Sequence, residues 1–222
     1  MNSDDRQLSD REVSSSDAVV RGVIRGLYEG RFEPGQRLAE SELTRLFRSS
    51  RGPVREALNK LAALGVVDLT LQRGGSVRLL TVREALDTLI VCQSLVGLAA
   101  RLAASNLANE DGRRRLQEVT SSLLAFDPAS SGLEFATSRD QFYALIVDLA
   151  ENSHLKQVMP TVQIHLIRTQ FRSFLNQTNA SRRLDYRRIA DAVLDGRPRE
   201  AESAVRIHFD RAIAALRMSV GD

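Results

Sequence analysis

A single cysteine, Cys92, in 222 residues excludes an internal disulfide framework and any multi-cysteine zinc ribbon. Tryptophan is absent and aromatic residues make up only 5% of the chain, while Leu, Ala and Arg dominate. That mix favours helices over a β-sandwich, whose strands draw on aromatic and β-branched side chains. No unbroken apolar run approaches the ~18 residues of a membrane-crossing helix. The first 17 residues, MNSDDRQLSDREVSSSD, lack the apolar stretch of a secretion signal. A content of 43% hydrophobic and 27% charged residues excludes wholesale disorder. The expectation is a cytoplasmic protein with no membrane partner.

Charge is present but unevenly placed. The formal net charge is +3. Residues 1–17 carry two basic and five acidic groups, residues 18–80 eleven and six, and residues 81–222 eighteen and seventeen. The positive excess sits in a short N-terminal block. Such a block fits an anionic partner, nucleic acid being the commonest; a solvated face without a partner is the alternative on charge alone.

Within that block Val19, Val23, Ile24 and Leu27 recur at helical spacing, which predicts a helix over about 18–30 ended by Gly30. Glu33-Pro34-Gly35 is a turn. A second helix spans Glu40 to Phe47, with Leu43, Leu46 and Phe47 inward. Arg48-Ser49 leaves room only for a tight connection, Ser50 reads as an N-cap, and Pro53 falls in a first turn, where its missing N–H costs nothing. The third helix runs to about Leu64, burying Val54, Ala57, Leu58 and Leu61, and Gly65 stops it. Val66 to Leu71 and Ser76 to Leu80 are β-prone, with Arg73-Gly74-Gly75 as a hairpin signal. Three helices and a hairpin form a winged helix-turn-helix, whose second motif helix enters the major groove with its early residues nearest the bases. Those residues are Ser50, Arg51, Gly52 and Arg55. Arg51 and Arg55 share a face, and arginine is the residue type that reads guanine O6 and N7 with two hydrogen bonds. Gly52 removes a side chain where backbone can approach phosphate, and Arg73 at the hairpin tip can reach a minor groove or a phosphate.

The run Phe32-Glu33-Pro34-Gly35-Gln36-Arg37-Leu38-Ala39-Glu40, then Ser50-Arg51-Gly52-Pro53-Val54-Arg55-Glu56-Ala57-Leu58, then Leu64-Gly65-Val66-Val67 and Arg73-Gly74-Gly75 resembles the GntR family of bacterial transcription regulators. The likeness covers nearly all of 18–80. It implies DNA contacts at Ser50, Arg51, Arg55, Arg73 and Gly74. Gly52 stands where the family usually has threonine, so a hydroxyl contact is lost there.

The remaining residues, 81–222, read as helix throughout. The expected segments are Thr81 (as cap) to about 106, roughly 110–125, 133–151, 153–175 with a kink at Pro160, about 180–195, and Pro198 to about 219, with 127–132 a loop. No segment alternates with period two. The predicted architecture is therefore mainly α: a tail over 1–17, a winged helix-turn-helix over 18–80, and an all-α antiparallel helical bundle over 81–222. The bundle resembles the FCD subfamily of GntR regulators, which implies a ligand-sensing and dimerisation domain.

Many members of that subfamily hold a divalent metal through an Asp and a His four apart on one helix and two further His. By that resemblance the four positions fall on Arg139, Tyr143, Tyr186 and His208, so only the last ligand is kept, and a metal cofactor is disfavoured. Positions where many members have Arg and Glu fall on Cys92 and Val96. The residues themselves place these groups inward: Phe135, Arg139, Phe142, Tyr143, Ile146, Leu149 and Ala150 form one stripe, Tyr186 shares a face with Ile189, Ala190 and Val193, and His208 shares one with Ala201, Ala204, Val205, Ala212 and Leu216. A cation on an apolar stripe needs an anion. For Arg139 that is either an Asp or Glu from another helix or a bound carboxylate or phosphate.

Two classes of function compete. One is a ligand-responsive DNA-binding regulator, a repressor, acting as a homodimer on a double-stranded operator; its effector is a small organic acid or acyl conjugate bound by Arg139, Tyr143, Tyr186 and His208 with Cys92 and Val96 on the apolar side. Variants of it have a metal-dependent or a vestigial pocket. The other is a helical-bundle enzyme or ligand carrier. No Ser-His-Asp order, glycine-rich phosphate loop or paired inward carboxylates support catalysis, so no catalytic residue is assigned.

Overall fold

The computed structural model describes residues 15–70, 74–126, 132–159, 164–171 and 179–218. The chain divides into two compact units, Met1–Arg78 and Leu79–Asp222.

The first unit contains α1 (Ser15–Tyr28), β1 (Arg37–Leu38), α2 (Glu40–Phe47), α3 (Arg51–Ala63), β2 (Val67–Thr70) and β3 (Gly74–Val77). Helix α1 begins inside the stretch read as tail. The reason is polar: the buried Ser16 hydroxyl donates to Glu56 Oε1 at 2.9 Å and accepts from Lys60 Nζ at 2.9 Å, and Asp17 accepts from the same amine at 2.7 Å. The first turn of α1 is thereby tied to α3. Val19, Val23 and Leu27 pack with Leu43, Val54, Ala57, Leu58 and Leu61 in the core. Leu46, expected inward, is 51% exposed. The turn before α3 is closed by Arg48 in the left-handed conformation, φ 49°. At the far end of α3, Gly65 (φ +65°) lets Val66 N–H reach back to the Leu61 carbonyl at 2.8 Å, a C-terminal stop of the expected kind.

The wing is a three-stranded antiparallel sheet in the order β1-β3-β2, with Arg37 opposite Ser76 and Val67 opposite Val77. The two residues of β1 carry too short a pattern to be read from the sequence. The hairpin strands are shorter than expected, and Gly74 and Gly75 belong to β3 rather than to its turn.

The second unit contains α4 (Val82–Asn106), α5 (Glu110–Ala125), α6 (Gly132–Leu149), α7 (Ser153–Val158), α8 (Ile164–Gln170), α9 (Asn179–Leu194) and α10 (Pro198–Met218). The expected single kinked helix over 153–175 is two short helices; Pro160 lies outside the described residues. Helix α4 starts with a reciprocal cap: Glu84 N–H donates to Thr81 Oγ1 at 3.2 Å and Thr81 N–H to Glu84 Oε2 at 2.8 Å. Such a box is worth about 1 kcal/mol. Buried Ala85, Ala99, Ala100 and Ala103 allow neighbouring helices to approach α4 closely, and α10, α6, α9 and α8 all pack on it. By length and composition α4 is apolar enough to cross a membrane, a property that a search for unbroken apolar runs passes over. Its buried side is core of the bundle.

Candidate functional site

The exposed end of α3 collects the residues expected to meet DNA. Ser50 is the N-cap residue in extended conformation, but its hydroxyl makes no capping bond. It therefore does not spend its oxygen on the helix. Arg51 and Gly52 are exposed, and a Cβ on Gly52 would find nothing within 4 Å. The first-turn N–H groups of a helix have no intrahelical partner, and together with the macrodipole they favour an anion. No acidic residue lies in this turn to oppose one. Arg55 is exposed, and its Nε–H is held by both carboxylate oxygens of Glu40 on α2, at 2.8 and 3.0 Å. A guanidinium has five N–H donors, so this bond orients Arg55 while leaving its outer nitrogens to reach further. Arg73 lies outside the described residues. Gly74 meets a backbone constraint of its own. It is buried with φ +93°, and a Cβ there would stand 2.3 Å from the Leu38 carbonyl oxygen. Its glycine is explained by the close approach of β3 to β1.

In the second unit, α6, α9 and α10 bring the expected inward groups together. Arg139, Tyr143, Tyr186 and His208 are 5%, 8%, 0% and 4% exposed. Ring centroids lie 6.0 Å apart for Tyr143 and Tyr186, 4.9 Å for Tyr186 and His208, and 6.4 Å for Tyr143 and His208. Cys92 and Val96 are buried on one face of α4. Of these, Cys92 is close enough to Arg168 for that charge to act on its thiol.

Four charged residues of this region were not singled out from sequence. Arg168 on α8 donates to Asp140 Oδ1 at 2.5 Å, and its guanidinium carbon lies 5.7 Å from the Tyr143 ring centroid. Arg139 Nε is 3.6 Å from the same oxygen. Asp140, one residue from the inward stripe, thus supplies a shared anion for two arginines. Arg182 is buried on α9, one turn before Tyr186. Asp185 is 1% exposed; its Oδ1 accepts from Arg211 at 2.7 Å, and its Oδ2 lies 3.5 Å from His208 Nδ1. The Arg182–Tyr186 spacing of four was a usable signal. Arg168 had none, because its helix is only seven residues long and carries too short a pattern to show a face.

The electrostatics follow from burial. Desolvation pushes the Tyr143 phenol well above the ordinary tyrosine range; Tyr186 adds to this, and Arg168, Arg182 and Arg139 oppose it. Desolvation pulls His208 down to about 4; Asp185 opposes this, while Arg182 and Arg168 reinforce it. The Cys92 thiol is raised to about 11, again by burial. At neutral pH this buried cluster therefore offers the neutral Tyr143 phenol and a neutral imidazole beside guanidinium groups. The Tyr143 and Tyr186 hydroxyls and His208 Nδ1 have no hydrogen-bond partner among the described residues. Each buried polar group left in that state costs about 1–3 kcal/mol.

This donor set does not fit a divalent metal. Among the described residues no three His, Cys, Asp or Glu come together to hold one. The chemistry agrees: there is one imidazole, the Tyr143 phenol is raised, and the Asp140 and Asp185 carboxylates are already taken up by arginines, so the set does not make a cation site.

Comparison with known proteins matches residues 15–78 to the bacterial regulatory proteins, gntR family, and residues 80–211 to the FCD domain. The chain is 28% identical to a probable D-xylose utilization operon transcriptional repressor of Paenarthrobacter nicotinovorans, covering 100% of this chain and 96% of that protein. It is 26% identical to the HTH-type transcriptional repressor RspR of Escherichia coli, covering 70% of this chain and 68% of that protein. In fold it is similar to E. coli McbR/YncC, with a TM-score of 0.78 at 18% identity over 94% of this chain and 99% of that one. A putative GntR regulator from Rhodococcus sp. RHA1 has a TM-score of 0.74 at 20% identity over 92% and 98%.

Proposed function

The chain belongs to the GntR family of DNA-binding transcription regulators, with an FCD domain as its second unit, and from that premise we propose that it is a repressor whose bundle senses a small organic acid or acyl conjugate without a metal. The observation that carries the effector reading is the pair of buried hydroxyls without a hydrogen-bond partner on α6 and α9, Tyr143 Oη and Tyr186 Oη, beside the His208 imidazole of α10. Two such groups cost together about 2–6 kcal/mol, a large part of the 5–15 kcal/mol by which domains are stable. A bound acid satisfies them. Its carboxylate accepts from the phenols and from Arg139, a guanidinium fixing a carboxylate by two charge-assisted hydrogen bonds. Cys92 and Val96 supply the apolar side. Repression is supported by the names of the Paenarthrobacter and RspR relatives. A DNA regulator of this kind works in the cytoplasm.

The DNA reading places Ser50, Arg51, Gly52 and Arg55 at the major groove, with Arg73 on phosphate or minor groove. A duplex selected from a random pool by the full chain tests it. Arg51→Ala or Arg55→Ala is expected to lose ~1–3 kcal/mol of affinity for that duplex at matched salt. Wild-type affinity in both variants contradicts the assignment.

A single winged helix buries too little for tight specific binding, so two copies reading two half-sites are expected. Helix α4 supports a second copy as partner. Asp87, Val91, Ser94, Leu98 and Arg101 share one side of α4, where Arg101 also pairs with Glu202 at 3.4 Å. Val91 is 51% exposed, and its neighbour Ile90 45%. An antiparallel pairing about a two-fold axis at Ser94 sets Asp87 against Arg101 of the partner subunit, so the face is complementary to itself.

A further inference from the structure

We infer that Gln170 couples the pocket to the DNA-reading unit by holding the main chain of Leu80, where the bundle begins. Gln170 Oε1 accepts from Leu80 N–H at 2.9 Å, and Gln170 Nε2 donates to Leu80 C=O at 2.5 Å. Leu80 is 3% exposed, stands immediately before the Thr81 cap of α4, and is two residues from the boundary between the units. Any shift of the Leu80 backbone is passed along the chain to Arg78, the last residue of the winged-helix unit.

The same short helix carries the pocket residue Arg168. That guanidinium bonds Asp140 and lies by the Tyr143 ring. Two positions along a helix are about 200° apart, so α8 presents Arg168 and Gln170 to opposite sides. Leu166 and Ile167, both 0% exposed, pack the helix between them. A packed seven-residue helix moves as a body, so displacing Arg168 displaces the amide. Glutamine suits the task because one side chain offers both a donor and an acceptor. The buried N–H and C=O of Leu80 strongly disfavour separation without replacement partners. The hold therefore follows α8 or is released as a unit, and it does not loosen gradually.

This inference rests on the reading of the pocket as an effector site. An anion that competes with Asp140 for Arg168 draws on α8, and only a difference in its binding to the two α8 positions can change DNA affinity. Couplings of this type amount to about 5- to 150-fold in affinity.

The test needs no ligand. Amide hydrogen exchange is followed by NMR in the full chain for wild type, Arg168→Ala and Gln170→Ala, with the Leu80 amide compared with Ala99 in the middle of α4. Arg168→Ala is expected to speed Leu80 exchange about tenfold relative to Ala99, the opening that follows loosening of one hydrogen bond. Unchanged relative exchange at Leu80 overturns the coupling. Asp140→Asn, which keeps the guanidinium, serves the same comparison should Arg168→Ala fail to fold. A second readout is affinity for the selected duplex in Arg168→Ala, Gln170→Ala and the double variant. The effect of Arg168→Ala on DNA affinity is expected to disappear when Gln170 is already gone, and simple additivity contradicts the proposal. Neither arm depends on the acid. A wild-type chain that binds no acid removes the effector reading alone, and unchanged Leu80 exchange removes the coupling alone.

Discussion

Replacing His208 by Gln is expected to flatten the acid side of the stability profile. His208 is buried between Tyr186, Tyr143 and Phe209, with Asp185 Oδ2 at 3.5 Å and Arg182 and Arg168 near enough to act on it. Its value in the fold is about 4, against 6.5 when unperturbed. The folded state therefore refuses a proton that the unfolded chain accepts. The associated stability is fully present above about pH 6.5 and is lost as the pH falls toward about 4. At about pH 4.5 the unfolded imidazole is almost wholly protonated and the folded one only partly, which costs on the order of 2–3 kcal/mol relative to neutral pH. Urea unfolding at about pH 7 and about pH 4.5 measures this in wild type and His208→Gln. The chain has no tryptophan and three tyrosines, two of them beside His208, so tyrosine emission reports this core. Carboxylates remote from position 208 have the same surroundings in both proteins and cancel in the comparison. Wild type is expected to lose on the order of 2–3 kcal/mol more than the variant over that range. An equal loss in both refutes the account of His208 as a desolvated neutral imidazole.

Other outcomes follow from single contacts. Gly74→Ala places a Cβ 2.3 Å from the Leu38 carbonyl oxygen at a positive φ; the first unit is expected to lose ~2–4 kcal/mol in a thermal melt, and an unchanged melt contradicts the role given to β1. Asp87→Arg sets like charges against each other across the proposed α4 pairing and is expected to shift sedimentation toward monomer, whereas an unaltered dimer moves the interface elsewhere. Cys92, 2% exposed with its thiol raised to about 11, is expected to resist alkylation until the bundle unfolds, and rapid labelling of the native chain contradicts its burial.

The winged helix was legible because its signals are local. Ser50, Pro53 and Gly65 mark the ends of α3 by chemistry that acts within a turn, and the apolar spacing of Val54, Ala57, Leu58 and Leu61 fixes its inner face. Strand β1 was not legible, since a two-residue strand exists only through its pairing with β3. The same distinction runs through the pocket. Arg139, Tyr143, Tyr186 and His208 sit on long helices whose periodicity shows which way they face. Arg168 sits on a seven-residue helix whose phase depends on where the chain breaks after Val158. Asp140 and Asp185 each adjoin an inward-facing residue, Arg139 and Tyr186, and a carboxylate reaches a neighbouring guanidinium from that flank. The Gln170–Leu80 pair joins residues 90 apart and leaves no sequence pattern.

A metal-independent acid site built around Arg139 is tested most directly by the thermal stability of the full chain against a panel of small mono- and dicarboxylates in excess EDTA. At least one acid is expected to raise the melting temperature of wild type in EDTA by preferential binding to the folded state, and Arg139→Gln is expected to abolish that rise. Stabilisation that vanishes with the chelator and returns with zinc or nickel, or a rise that survives Arg139→Gln unchanged, contradicts the claim.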